Sequence, residues 1–154
     1  MLAVVSDSSP LIYLTRLGVF SLLRQLHDQV NGAGRPESDN LKRAANEGWV
    51  LVQSPTKEQV SLQVAAGALG QGEIEAILLA KELGALLLTD GSDARRVAEV
   101  EGIKVSGTIG VLIRGKAAGH LKVVGPLLKK LISETNFRMS SELYHSALTQ
   151  AGEA

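Results

Sequence analysis

The chain has 154 residues, 45% of them hydrophobic, which is the size of one domain with a sizeable core. It has no cysteine, which excludes disulfide scaffolds and thiolate metal sites and suits a reducing, cytoplasmic setting; any metal must sit on oxygen or histidine. Sixteen basic and sixteen acidic residues cancel, so net charge does not mark a nucleic-acid binder, and no apolar run resembles a secretory leader or approaches membrane-spanning length.

The run at 2–5 is apolar and is closed by Ser-Asp-Ser-Ser-Pro, which reads as a buried strand entering a helix with Ser9 as N-cap and Pro10 first inside. Helical patterns follow at 10–16 and 19–26. A strand-like HDQV then ends at Val30 and passes abruptly into the loop-like NGAGRPES. A helix near 39–46, a strand at 49–52 and a helix at 60–68 come next. The pattern is clearest from Gly72: helix 73–83, Gly84, apolar strand 85–88, Thr89 and Asp90, helix 93–101 closed by Gly102, strand 103–105, then Ser106, Gly107 and Thr108. Helices at 109–118, 123–133 and 141–150 finish the chain. Short strands alternating with helices imply parallel pairing through right-handed crossovers, hence an α/β fold: one three-layer domain over 1–154, with a central parallel sheet flanked by helices.

Charge is unevenly spread. Residues 1–101 carry nine Lys and Arg against thirteen Asp and Glu, whereas 102–133 carry Lys104, Arg114, Lys116, Lys122, Lys129 and Lys130 and no acid. An acidic part that collects cations beside a basic part suits an enzyme acting on a polyanion; solvated helix faces are the commoner reading of such a run.

In an open parallel sheet the carboxyl ends of the strands form the ligand-binding rim, and there stand Asp7, Thr89 with Asp90, and 106–108. Counted at 3.6 residues per turn, Glu73 lies opposite Glu75 and Glu82 and shares an arc with Ala76, Ile77 and Ala80, the wrong face for an idle charge. The alternative is an acid favoured by the helix N-terminus. Asp93, three residues after Asp90, is equally readable as a first-turn acid. Because Ser9 and Ser92 can cap their helices, Asp7 and Asp90 are read as free for other work. Four carboxylates on one rim, with no matching basic cluster, call for Mg2+ or Mn2+.

The phrases SDSSPLIYLTRLG, then GQGEIEAILLAKELGALLLTDGSDARRVAEVEGIKVSGTIGVLIRGKAAG, and finally NFRMSSELYHSAL resemble the PIN-domain proteins over nearly the whole chain. The resemblance implies a metal-dependent endoribonuclease fold, RNA as partner, and often the toxin half of a toxin and antitoxin pair, with an antitoxin protein and a homo-oligomer as expected assemblies. It assigns metal-binding and catalytic roles to Asp7, Glu73, Asp90 and Asp93, and makes Ser9 and Thr108 pocket hydroxyls. One departure stands out: a proline-led helix carrying a further glutamate is missing after Val30, and neither Glu37 nor Glu47 matches its position. Either the chain has lost an active-site acid and is naturally shortened, or a segment on the order of ten to fifteen residues is absent between Val30 and Asn31; the second is expected.

Two rivals remain. One is a non-catalytic PIN-like scaffold that binds nucleic acid or a protein; the other is a flavodoxin-like domain with a small ligand, disfavoured because SDSSP replaces any glycine-rich phosphate loop. His27, His120 and His145 make no metal spacing, and Tyr144 with His145 reads as helix packing. Arg95, Arg96 or Lys116 are candidates for phosphate contact. With two Phe, two Tyr and one Trp there is no stacking platform, so nucleic-acid binding is expected to be electrostatic and shape-based.

Overall fold

The computed structural model describes residues 4–26, 30–32, 50–52 and 69–154. Among them five strands, β1 (Val4–Ser6), β2 (Val30–Gly32), β3 (Val50–Val52), β4 (Leu86–Leu88) and β5 (Val105–Ser106), pair in parallel in the order β3-β2-β1-β4-β5. Strand order reverses at β1, so β1 and β4 are neighbours whose connections leave in opposite directions. Register is Val4 beside Leu86 and Val30, Val5 beside Leu87 and Asn31, and Ser6 beside Leu88 and Gly32.

Helices cover both faces: α1 (Ser8–Arg16), α2 (Leu22–Leu26), α3 (Gln71–Leu83), α4 (Ser92–Val100), α5 (Thr108–Ala117), α6 (Gly125–Glu134) and α7 (Ser141–Gln150). Successive strand residues point to opposite faces, which builds two cores. Val4 and Leu88 join Leu14, Leu112, Leu128 and Leu131 on one side, while Val5 and Leu87 join Ile77, Leu79, Ala94 and Ala98 on the other. Strands buried on both faces must be apolar at every position, which explains the unbroken run of Leu86, Leu87 and Leu88. Each fully buried leucine contributes roughly 2 kcal/mol.

Several expectations need correction. Asp7, not Ser9, is the N-cap of α1: its Oδ1 accepts from the Ser9 N–H at 3.3 Å. Pro10 is then the third helical residue, tolerated because the first four N–H groups have no partner within the helix. Gly91, not Ser92, is the N-cap of α4. The second strand does not end at Val30 but runs over Val30–Gly32, while residues 27–29 lie outside the described residues. Val30 and Asn31 are consecutive in β2 and paired on both sides, so no break lies between them. Residues 33–49, which separate β2 from β3, exceed the dozen or so that a parallel crossover needs. The helices expected at 39–46 and 60–68 lie outside the described residues.

The chain's end is tied back to the fold. Glu153 Oε2 accepts from Lys116 Nζ at 3.0 Å and from the Val124 N–H at 2.8 Å, and its Oε1 accepts from the Gly125 N–H at 3.0 Å. It thus supplies the cap that α6 lacks locally, since Val124 provides no side-chain acceptor. The Gly125 and Val124 N–H groups and Lys116 lower the Glu153 carboxyl from 4.5 to about 2. A lowered carboxylate contributes stability that is complete above its unfolded value and is lost as pH falls through the folded one. Glu153→Gln should therefore melt below the wild type at neutral pH. Thermal melts across pH should show that gap closing between 4.5 and about 2; a gap that ignores pH would mean the charge is not responsible.

Candidate active site

β1 and β4 end side by side at the point where strand order reverses, the place at which open α/β sheets bind ligands. Asp7 follows β1 and Asp90 follows β4 by two residues, so both carboxylates emerge at the same edge. Asp7 is buried, and the Thr89 hydroxyl donates to its Oδ2 at 2.6 Å. The Thr89 oxygen also accepts, at 3.4 Å, from the N–H of Gly91 at the start of α4. Asp90 is held from the next helix: the Thr108 N–H donates to its Oδ1 at 2.8 Å and the Thr108 hydroxyl to its Oδ2 at 2.6 Å. Asp90 thus caps α5 from outside, where Gly107, the N-cap residue, has no side chain to offer.

Glu73 comes from the first turn of α3. Its Oε1 accepts from the Gly70 N–H at 3.1 Å, closing the start of its own helix. Its Oε2 leans toward α4, such that a Cβ on Gly91 would lie 2.6 Å from it. Gly107 is equally constrained, since a Cβ there would lie 2.5 Å from Asp90 Oδ1. Two glycine N-caps therefore make room for carboxylates that arrive from elsewhere.

These groups feel one another. Burial, with the charges of Asp90 and Glu73, pushes the Asp7 carboxyl from 3.8 up to about 6, against the lowering pull of the Thr89 hydroxyl and the Ser9 N–H. Burial also raises Asp90, opposed by Thr108 and by the nearby Arg95. Burial and the Asp90 charge together raise the Tyr13 phenol, which puts the exposed face of α1 within the field of the site.

Asp7, Asp90 and Glu73 are thus brought together. Asp93 instead binds Arg96 on its own helix at 2.8 Å, with its side chain 48% exposed. Thr108 is buried against Asp90, and Ser9 is exposed beside Asp7. Lys116, a candidate for phosphate contact, is engaged by Glu153 instead.

An oxygen-only donor set suits magnesium or manganese. Each carboxylate oxygen of Asp7 and Asp90 already accepts one hydrogen bond, yet an ionised carboxylate has about four acceptor sites, so lone pairs remain for a cation. Among the described residues, no three Asp, Glu or His side chains converge closely enough to hold an ion as they stand. A small cation that keeps several waters needs only one or two protein carboxylates, and the donors fit that demand.

A family model described as a PIN domain matches residues 3–153. The chain belongs to the PIN-domain family. PIN domains are generally nucleases that bind nucleic acid and use divalent metals. No curated protein gives a significant match to this PIN domain. Among the described residues, no helix of this PIN domain is long and apolar enough to cross a membrane.

Gly91 and Tyr13 escape a search for acids, although Gly91 leaves room for Glu73 and Tyr13 lies within the field of Asp90; Thr89 and Gly107 stand at the strand ends already placed on the rim. The phrases TDG and SGT held the available signal: an acid or a hydroxyl beside a glycine at a strand-to-helix turn.

Two outcomes test this geometry. A carboxyl raised from 3.8 to about 6 favours its protonated form on folding, so its contribution is complete below 3.8 and is lost as pH rises through about 6. That rise corresponds to roughly 3 kcal/mol. In metal-free buffer Asp7→Asn, whose amide oxygen can still cap α1, should melt above the wild type near pH 8 and match it near pH 4 in a pH series of melts. Gly107→Ala should displace Asp90 and weaken Mn2+ binding by calorimetry roughly tenfold or more, the effect of losing a supporting shell.

Proposed function

We propose that this PIN domain is an endoribonuclease that hydrolyses RNA phosphodiester bonds with Mg2+ or Mn2+ in the cytoplasm. The reading rests above all on one observation: Asp7 is buried and Asp90 half-buried at the strand-order switch point, each raised in pKa by burial and, among the described residues, neither joined to a cationic side chain by a hydrogen bond. That is the charge state a divalent cation relieves.

Asp7 and Asp90 would hold the ion, with Glu73 reaching it directly or through water. Asp93 would join only by leaving Arg96, a weak restraint because exposed ion pairs contribute about 0–1 kcal/mol. When bound, the ion supplies a water acidic enough to attack phosphorus near neutral pH and offsets charge on the departing oxygen. The chain's own residues do the positioning. Thr89 and Thr108 lock the two carboxylates in one orientation, so no rearrangement is needed when substrate arrives. The N-termini of α1, α4 and α5 converge on the edge and bias it toward anions, which suits a phosphate as well as the acids. Arg95, close enough to Asp90 to act on its charge, can face a non-bridging phosphate oxygen. Ser9 can orient a water at the exposed margin.

Work as a toxin restrained by an antitoxin, and assembly as a homo-oligomer, extend the same reading and are tested by growth arrest on expression. The direct assay is cleavage of single-stranded RNA with Mg2+, Mn2+ or EDTA. Activity should need the metal and fall steeply with salt, because phosphate contacts dominate affinity. Asp90→Asn should lower kcat/KM by at least about 100-fold, the scale of losing one electrostatic group in a catalytic site, while the fold survives by circular dichroism. A well-folded wild type that binds RNA and cuts it under no metal would assign the chain to the non-catalytic scaffold.

A further inference from the structure

The segment between α6 and α7, which carries Asn136, Phe137 and Arg138, has no part in the site described so far, yet it stands beside it. Phe137 packs edge-on against Tyr13, with ring centroids 5.1 Å apart, and the Tyr13 hydroxyl donates to Asn136 Oδ1 at 3.0 Å. Tyr13 feels the charge of Asp90, so this contact ties the segment to the carboxylate edge. Beyond Phe137 a cleft of about 450 Å³ opens between α5 and α7, and Asp90 lies on its wall.

The lining of that cleft is of two kinds. Arg95 and Arg138 supply positive charge, whereas Ile109, Ile113, Phe137 and Leu143 supply apolar surface. Leu143, on the wall of this cleft, is 43% exposed. Among the described residues no carboxylate pairs with Arg138, which is exposed. An apolar wall, two cations and a catalytic carboxylate at one end match a single-stranded nucleotide. Its phosphate is an anion held by arginine, its base is a flat apolar body, and its next phosphate lies within reach of Asp90. A base can lie against leucine, isoleucine and the edge of one ring, so the scarcity of aromatic residues is no obstacle.

We propose that this cleft is a nucleotide subsite, in which Arg138 binds the phosphate and Leu143 with Phe137 the base of the residue next to the scissile bond. The subsite rests on the nuclease reading and adds to it the residues that would hold the nucleotide beside the scissile bond. A second copy of the chain is the competing occupant; the two arginines that line the cleft, Arg95 and Arg138, favour the polyanion.

The test is fluorescence anisotropy with labelled single-stranded RNA, using wild-type protein in EDTA so that the RNA stays intact, followed by cleavage with Mn2+. Arg138→Gln and Leu143→Asn should each weaken binding roughly five- to tenfold. Arg138→Gln should also reduce the salt dependence by about 0.7 in slope. Lys129→Gln, which removes a charge from the exposed side of α6, should change affinity less than twofold, and all variants should melt with the wild type. RNA bound and cut by the wild type with no effect of either cleft variant overturns the subsite and leaves the nuclease reading standing. RNA neither bound nor cut overturns both. An effect of Arg138→Gln alone removes the base from the proposal. Loss of self-association in Leu143→Asn with RNA affinity unchanged would make the cleft a contact between copies and overturn it.

Discussion

The repulsion between two desolvated carboxylates, Asp7 and Asp90, is the constraint on which the carboxyl edge depends. Parallel pairing of β1 with β4 puts both there, and the layers of helices that cover the sheet bury Asp7 and half-bury Asp90. Left alone, this arrangement would drive the acids to protonate or to turn outward. Three features oppose that outcome without neutralising the charge. Each carboxylate accepts from a threonine hydroxyl, each faces a helix N-terminus, and Arg95 acts on Asp90 from the side. Among the described residues, none of these contacts seats a cation between the two acids.

Helix capping and site construction share the same atoms. Asp7 caps α1, Asp90 caps α5 from a distant strand, and Glu73 closes the start of α3. Placing the acids at helix starts offsets part of their repulsion through the helix dipoles, by about 0.3–1 kcal/mol each and more where partly buried. The arrangement requires bare N-caps. Ser, Asp or Asn is the usual choice at such a position, and at Gly91 and Gly107 any side chain would occupy the space of a carboxylate. These glycines cost a little local helix stability in exchange for room.

The sheet and its helices were legible because buried parallel strands are short continuous apolar runs and because Gly84 and Gly102, both in left-handed conformation, punctuate the helices. The β2 strand was misread at Asn31 and Gly32, poor strand formers held in place by partners on both sides, a tertiary effect that local propensity does not contain. The caps were misassigned because Ser9 and Asp7 are equally good capping residues; what selects Asp7 is the sheet, since its N–H bonds to Leu88 O at 3.2 Å and thereby fixes where the helix begins. Helical periodicity did not set the depth of Glu73: it is half-buried, as Glu75 is, and it bonds the Gly70 N–H at the start of its own helix, the contact that the alternative reading of a helix N-terminal acid expects. The Asp93 to Arg96 pair, at i,i+3, was a local alternative open to any first-turn acid.

The cationic stretch at 102–133 changes meaning once its partners are known. Lys116 is bound to Glu153, Arg114 donates to Ser106 Oγ at 3.1 Å, and Lys130 lies 4.0 Å from Glu134. Two of the six therefore tie α5 to the sheet and to the chain's end, and a third lies near an acid of its own helix. The arginine that acts on Asp90 comes from α4, inside the acidic part of the chain. A bulk division of the sequence into acidic and basic parts is thus a poor guide to where a polyanion would lie. With a net charge of zero, long-range steering of a polyanion has little to work with, and cations count only within a Debye length of the acids, about 8–10 Å at physiological salt.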